Sequence, residues 1–466
     1  MKKCLLILGL IISILLFCSC AVKQTEWLGY NGSTDGYVYY STENRDLQWE
    51  EDILFLANCF LSDHPYLANK NIMIHTADEI FGALEVDYSN ALFNEILRNE
   101  FINQVNDLIP QVPKLTDAQI IYELKRIVAS VGDIHSNFTA VTAEDMVFPL
   151  TFDHITEESG VSLYAVRVPE GYENIYLGKL TAINGISVAE ILAKLSAFTP
   201  AENAYFFPYV TVKPQSSNSM LMLHNALQAI GVQKEGDTCA KFTFETASGT
   251  VTQVVEAIKI TECKKLSWLR HPMTTEDRLI YHQDNNYWYE LLENNILYVR
   301  FSAMSQDSDQ SFDSFLTHVR SVLRNSDIPL RLILDFRYNG GGMDYSNTLK
   351  NFSSSVNRCA KDGVYILING GCASAGVYTP YCLRQTINGA ILVGSPTAQF
   401  INCPAEQYAY NLPNSGNNFY VSSKYFCYAP SESADSLYPD VTVYQTWEDY
   451  LHSVDSCLNY VLTISN

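Results

Sequence analysis

Residues 331–342 read RLILDFRYNGGG, residues 364–385 read VYILINGGCASAGVYTPYCLRQ, and residues 390–400 read AILVGSPTAQF. They contain three short apolar runs, Leu332 to Phe336, Val364 to Ile368 and Ala390 to Gly394, separated by segments long enough to be helices. That spacing predicts βαβ units and a parallel sheet, hence an α/β core. Glycines follow the first two runs: Asn339-Gly340-Gly341-Gly342 after one, and Gly370-Gly371-Cys372-Ala373-Ser374-Ala375-Gly376 after the next. The carboxyl ends of parallel strands are where ligands sit in open α/β sheets. A serine between two alanines at a strand-to-helix turn has an unobstructed hydroxyl. The helix N-terminus behind it offers N–H groups and a dipole that favour a developing oxyanion. Ser374 is then a candidate nucleophile. The competing reading is a tight turn in which Ser374 is only an N-cap and its small neighbours permit close packing. The second glycine-rich strand end is what brings the functional reading level with it.

Working outward, the N-terminus MKKCLLILGLIISILLFCSC has two lysines and an apolar run ending in small residues, which predicts a secretory signal peptide over 1–20. Its ending Phe17-Cys18-Ser19-Cys20 resembles a bacterial lipoprotein cleavage box, with Phe17 in place of the usual leucine. That resemblance implies lipidation of Cys20 and anchoring at the extracytoplasmic face of a bacterial cell membrane, since several acyl chains exceed what stable anchoring needs. A plain cleaved leader and an uncleaved anchor are the other readings.

The formal charge of −21, to which Lys2 and Lys3 of the leader already contribute positively, argues against nucleic-acid partners, whose phosphates must be neutralised. It equally opposes electrostatic docking on a membrane and leaves the lipid as the only tether. A chain of 466 residues exceeds one ordinary core. The texture divides it into a tether and helical N-terminal module (21–145), a β-rich module (146–263) and the α/β core (264–466). Nine cysteines follow Cys20 without a CxxC pair, so zinc-ribbon and thioredoxin readings have no support. Nine is odd, so at least one is unpaired. Cys372 reads as a small packing residue rather than a nucleophile.

A first strand is expected near Tyr37 to Tyr40, followed by helices through Trp49 to Phe60 and Ala91 to Val105. A third is opened by Thr116-Asp117 and stopped at Gly132. Directly after it stands Asp133-Ile134-His135-Ser136. Histidine is the usual general base for a serine, and a post-helix turn lets its side chain enter a cleft. A capping or hydrogen-bonding role is the plainer alternative. His64, followed by Pro65, reads as a structural turn.

Short β-like runs occupy 161–168, 177–183, 240–246 and 250–258, with an Asn184-Gly185 turn and a helix over Ala189 to Leu195. This resembles the later half of a PDZ-like module, in degenerate form, and fits a generic β-turn-helix insertion as well. A strand (Asn294 to Met304) and a helix (Gln310 to Leu323) lead into the core. Beyond it, strands are expected at Asn417 to Val421, Tyr425 to Tyr428 and Val441 to Tyr444, then one helix from Thr446 to Leu462.

The set LILDFRYNGGG, ASAG (373–376), LVGSPT (392–397), YPDVTV (438–443) and GDIHS (132–136), in this order, resembles the serine peptidase family of C-terminal-processing (tail-specific) proteases, with its tricorn-core-like and interphotoreceptor retinoid-binding protein-like branch. The resemblance runs from about Trp49 to the end. It implies a ClpP/crotonase-like core, with Ser374 as nucleophile and the N–H groups of Ala375 and of the Gly341/Gly342 turn as the oxyanion hole. In the tail-specific branch a lysine follows the VGE-x-T-x-G segment. Here that region reads VGSPTAQF, with Gln399 for the glycine and no lysine, and Gly376 stands where many relatives have serine. The resemblance therefore implies a Ser-His rather than a Ser-Lys site, with His135 as base and a late carboxylate, Glu432 or failing that Asp435, completing the relay. It implies no cofactor and no metal. The activity to expect is that of a lipid-anchored, extracytoplasmic serine endopeptidase acting on peptide or protein substrates. A catalytically inactive peptide- or ligand-binding lipoprotein of the same fold is the competing class, and an acyl hydrolase for small esters would use the same residues.

Overall fold

Strands that read as apolar runs need cover on both faces, and the central strands of the core sheet have it. The computed structural model describes residues 44–77, 84–139, 145–157, 160–211, 220–263, 265–274, 278–360, 362–430 and 433–464. The leader with Cys20, the strand expected near Tyr37 to Tyr40, and Glu432 lie outside them. No helix among the described residues is long and apolar enough to cross a membrane. The chain divides into two units: 1–75, 86–140 and 404–426 form the first, and 76–85, 141–403 and 427–466 the second.

In the second unit a six-stranded sheet runs Tyr287–Leu292, Ile296–Phe301, Arg331–Asp335, Val364–Ile368, Ile391–Gly394 and Val441–Thr442. The first pair is antiparallel and the others are parallel. Leu332, Leu334, Ile366 and Ile368 face Phe315, Leu349 and Val377 of the helices Phe312–Asn325, Ser346–Cys359 and Ala375–Thr386. The alternate residues Ile333, Tyr365, Leu367 and Val393 face Leu458 and Val461 of the helix Ser456–Thr463. The central strands Arg331–Asp335, Val364–Ile368 and Ile391–Gly394 thus bury both of their faces, which is why these runs read as largely apolar stretches.

A seven-stranded sheet follows the path Gly249–Glu256, Cys239–Thr246, Lys179–Ile183, Gly160–Pro169 and Trp268–Arg270, with two further strands paired onto it. The Asn184-Gly185 turn has both residues at positive φ (50° and 82°), the backbone that makes Asn-Gly a hairpin signal. Ser187 then caps the helix Val188–Ser196.

The first unit packs the helices Arg45–Asp63, Glu95–Leu108 and Asp117–Ala129 through Trp49, Phe60, Phe101 and Leu124. Thr116 and Gln119 form a reciprocal capping box at the third helix. Tyr410, Phe419 and Val421, from the strands Asn402–Asn411 and Asn418–Cys427, complete the same core together with Leu412 just after the first of them. These two strands lie in a sheet with Ile72–Ala77 and Leu84–Ser89, while Asn137–Thr139 pairs antiparallel with Asn418–Tyr420. The sequence reading puts 404–426 in the 264–466 core, whereas its apolar side chains are spent on the helices of the first unit. The two short strands expected at 417–421 and 425–428 are one strand, and Asn402–Asn411 is a strand that the reading lacks.

The single helix expected over Thr446 to Leu462 is two, Trp447–Leu451 and Ser456–Thr463, with Ser453 at φ 58° between them. Asp455 is the reason. Its carboxylate caps the second helix at the Leu458 N–H and accepts from Arg337 Nη1 at 2.7 and 2.8 Å and from Arg278 Nη2 at 3.2 Å. Arg337 also grips the buried Asp335, at 2.6 Å from Nη2 to Oδ2. Burial works against both carboxylates, but the guanidinium of Arg337, joined by Arg278 at Asp455 and by Arg300 at Asp335, holds them below the usual carboxylate range.

Asp455→Asn leaves two guanidinium groups buried and short of charge, so it should cost about 3–5 kcal/mol of stability, read from urea unfolding. A second expectation concerns acid. Because the folded carboxylates titrate below their unfolded counterparts, their contribution is complete above about pH 4 and is lost as the pH falls below it. The urea midpoint should therefore drop between pH 4 and pH 2, and drop less in Asp455→Asn.

Candidate active site

Ser374 sits at the junction of a β-strand end and the helix Ala375–Thr386, with φ 53° and ψ −130°. A residue with a Cβ pays on the order of 1–3 kcal/mol for such a backbone, and strain of this kind collects at functional sites. The contacts that hold it are visible. Ala373 N–H donates to Asn339 O (3.0 Å), Gly376 N–H to Ala373 O (2.8 Å) and Val377 N–H to Ser374 O (2.9 Å). Within its own unit, the Ser374 hydroxyl makes no hydrogen bond to a described residue, and Ala375 N–H is a helix-start donor with no acceptor among them.

Gly341 lies against Ser374: a Cβ there would come 2.6 Å from Ser374 Cβ and 3.0 Å from Ala375 N, and φ is +104°. Only glycine fits that place. Its own N–H is committed to Asn339 Oδ1 (2.9 Å). Gly342 is different. Met304 N–H donates to Gly341 O and Met343 N–H to Met304 O, a parallel bridge in which the N–H of Gly342 points away from Met304. Among the described residues that N–H has no acceptor. Gly376 is also explained, since any side chain there would collide with the backbone carbonyl of Asn339.

His135 belongs to the first unit. Its backbone N–H donates to Asp133 Oδ1 (2.9 Å), and its Nδ1 lies 3.6 Å from the same oxygen, buried and without a hydrogen bond. Asp133 is wholly buried and collects further donors on Oδ2: Ser136 Oγ (2.6 Å), Ser422 Oγ (2.6 Å) and His64 Nε2 (3.1 Å). His64 Nδ1 accepts the Tyr66 N–H, which leaves the proton on Nε2 facing Asp133. Burial would raise the Asp133 carboxyl, but the imidazoles of His135 and His64 outweigh it and hold the group well below the carboxylate range.

Ser374, Ala375, Gly341 and Gly342 are thus brought together within the second unit, and His135 is set by Asp133 within the first. Of the late carboxylates, Glu432 is outside the described residues, and Asp435 accepts a hydrogen bond from Tyr438 (2.9 Å) on the surface. Cys372 is buried and accepts the Asn369 N–H at 3.4 Å, and burial pushes its thiol up to about 12, the behaviour of a packing residue. Sequence reasoning missed the role of Asn339, Asn369 and Gln399, whose amides face backbone groups that no motif records. For Asp133 the signal was present in the Asp-x-His spacing.

No family model and no curated protein matches the chain. Among solved structures, mature CPAF complexed with lactacystin superposes with a TM-score of 0.53 at 10% identity, covering 89% of this chain and 97% of that one. Mature CPAF alone gives 0.52 at 10% identity, over 89% and 96%. The photosystem II D1 C-terminal processing protease gives 0.35 at 13% identity, over 85% and 93%. The fold of this chain is that of the CPAF structures.

Proposed function

We propose that this chain is a serine endopeptidase with a Ser-His site, carried to the extracytoplasmic face of a bacterial membrane by lipid on Cys20. The observation that carries the enzymatic reading is the strained Ser374 elbow at a helix N-terminus, with Gly341 pressed against it and the N–H groups of Ala375 and Gly342 unpaired among the described residues.

On this reading Ser374 Oγ attacks the peptide carbonyl carbon and His135 Nε2 takes its proton. The tetrahedral oxyanion is met by the Ala375 and Gly342 N–H groups, with Gly341 serving as spacer because its own N–H is occupied. Collapse expels the amine, which leaves with the proton held by His135. A water then enters by the same route and releases the acyl group as acid. Asp133 favours the His135 tautomer with its proton on Nδ1, because its Oδ1 is the anion next to that nitrogen. Glu432 retains the role of a further carboxylate in the relay.

A serine-directed fluorophosphonate should label the purified protein on Ser374, and Ser374→Ala should abolish labelling. Cleavage of a fluorogenic peptide should fall on the order of 10³-fold or more in both Ser374→Ala and His135→Ala. An unlabelled wild type, or equal labelling of Ser374→Ala, would falsify the enzymatic reading in favour of a binding lipoprotein. Undiminished cleavage by His135→Ala would place the base elsewhere. The anchor has its own test: a gel shift lost in Cys20→Ala.

A further inference from the structure

We infer that Gln399 is a positioning residue that holds the Ser374 elbow in its reactive conformation, an assignment that rests on Ser374 being the nucleophile. As the helix N-cap, Ser374 has an N–H with no intrahelical carbonyl to meet, and it donates instead to Gln399 Oε1 at 3.2 Å. The Gln399 side chain is almost entirely buried. Its other end, Nε2, donates to Phe400 O at 3.3 Å. A donor at one end and an acceptor at the other leave the amide only one orientation.

The backbone that carries Gln399 is fixed in turn. Thr397 Oγ1 donates to Gln399 O at 2.7 Å and accepts the Leu437 N–H at 3.0 Å, while Ala398 N–H donates to Cys372 O at 3.0 Å. Residues 397–399 are therefore tied to 372–374 by a backbone bond at Cys372 and a side-chain bond at Ser374. A glycine at 399 would supply the first and not the second. Without an acceptor, the part-buried Ser374 amide loses its partner and the elbow is free to relax towards an ordinary backbone, which moves Oγ.

The test uses the full chain and Gln399→Met, which keeps the volume and removes the acceptor. Fluorophosphonate labelling of Ser374 should slow about tenfold to a hundredfold, and peptide cleavage should lose kcat with KM unchanged. Residue-resolved hydrogen exchange should show the Ser374 amide protected in wild type and exposed in the variant, with Ala373 unchanged. Gln399→Glu, which retains an oxygen acceptor, should label faster than Gln399→Met. Wild-type labelling by Gln399→Met, or a loss confined to KM, overturns the assignment. So does an unprotected Ser374 amide in the wild type, a measurement that stands if Gln399→Met does not fold. If wild type is not labelled at all, the peptidase reading fails, and the exchange experiment still decides whether Gln399 holds the elbow.

Discussion

Two buried asparagines hold the site together. Asn339 lies in the turn after one core strand, Arg331–Asp335, and Asn369 directly follows the next, Val364–Ile368. Asn339 receives the Gly341 N–H on its side-chain oxygen and the Ala373 N–H on its backbone oxygen, and donates to Phe301 O at 3.0 Å. Asn369 Oδ1 receives the Tyr338 N–H (2.9 Å) and the Gly371 N–H (3.0 Å). Asn339 through its backbone oxygen and Asn369 through its side chain tie together two glycine-rich turns that no regular ladder could pair, and a buried N–H left over in either would cost about 1–3 kcal/mol. The glycines supply the conformations and the asparagines select among them. Ser374 inherits its geometry from that selection.

Beneath the turns, the ionic cluster of Asp335, Arg337, Arg278 and Asp455 does similar work with charge. Asp335 and Arg337 close one core strand, and Asp455 opens the last helix. The network fixes where the chain end returns to the sheet, and it explains why the closing segment is broken rather than continuous. Buried ion pairs of this kind specify an arrangement more than they stabilise it, because desolvation offsets much of the attraction.

How much was legible follows from what each element packs against. The strands at 332–336, 364–368 and 390–394 could be read because burial on both faces leaves a largely apolar run. The helices of the first unit could be read because burial on one face leaves a 3.6-residue period. The first strand of the hairpin within 402–427 could not. Pro404 and the polar residues around it weaken the strand pattern, and its partners lie hundreds of positions upstream. Ser374 was legible from its small neighbours, His135 from Asp133 two residues before it. Gln399 looked like a departure from a motif because only the folded chain shows which backbone N–H its amide meets, and Asp455 looked like an ordinary helical residue for the same reason.

The pairing of Asn137–Thr139 with Asn418–Tyr420 bears on the order of events during synthesis. The first described helix of the first unit starts at Arg45, yet its core lacks Tyr410, Leu412, Phe419 and Val421 until residues more than 300 positions later have been made. Its three helices must leave the ribosome with an uncovered apolar face and keep it so while the whole sheet-forming middle is translated. Non-local closure of this kind is slow and exposes surface that aggregates. Whatever holds the early helices apart from their neighbours during that interval has to act on a chain whose last structural contribution is still being translated.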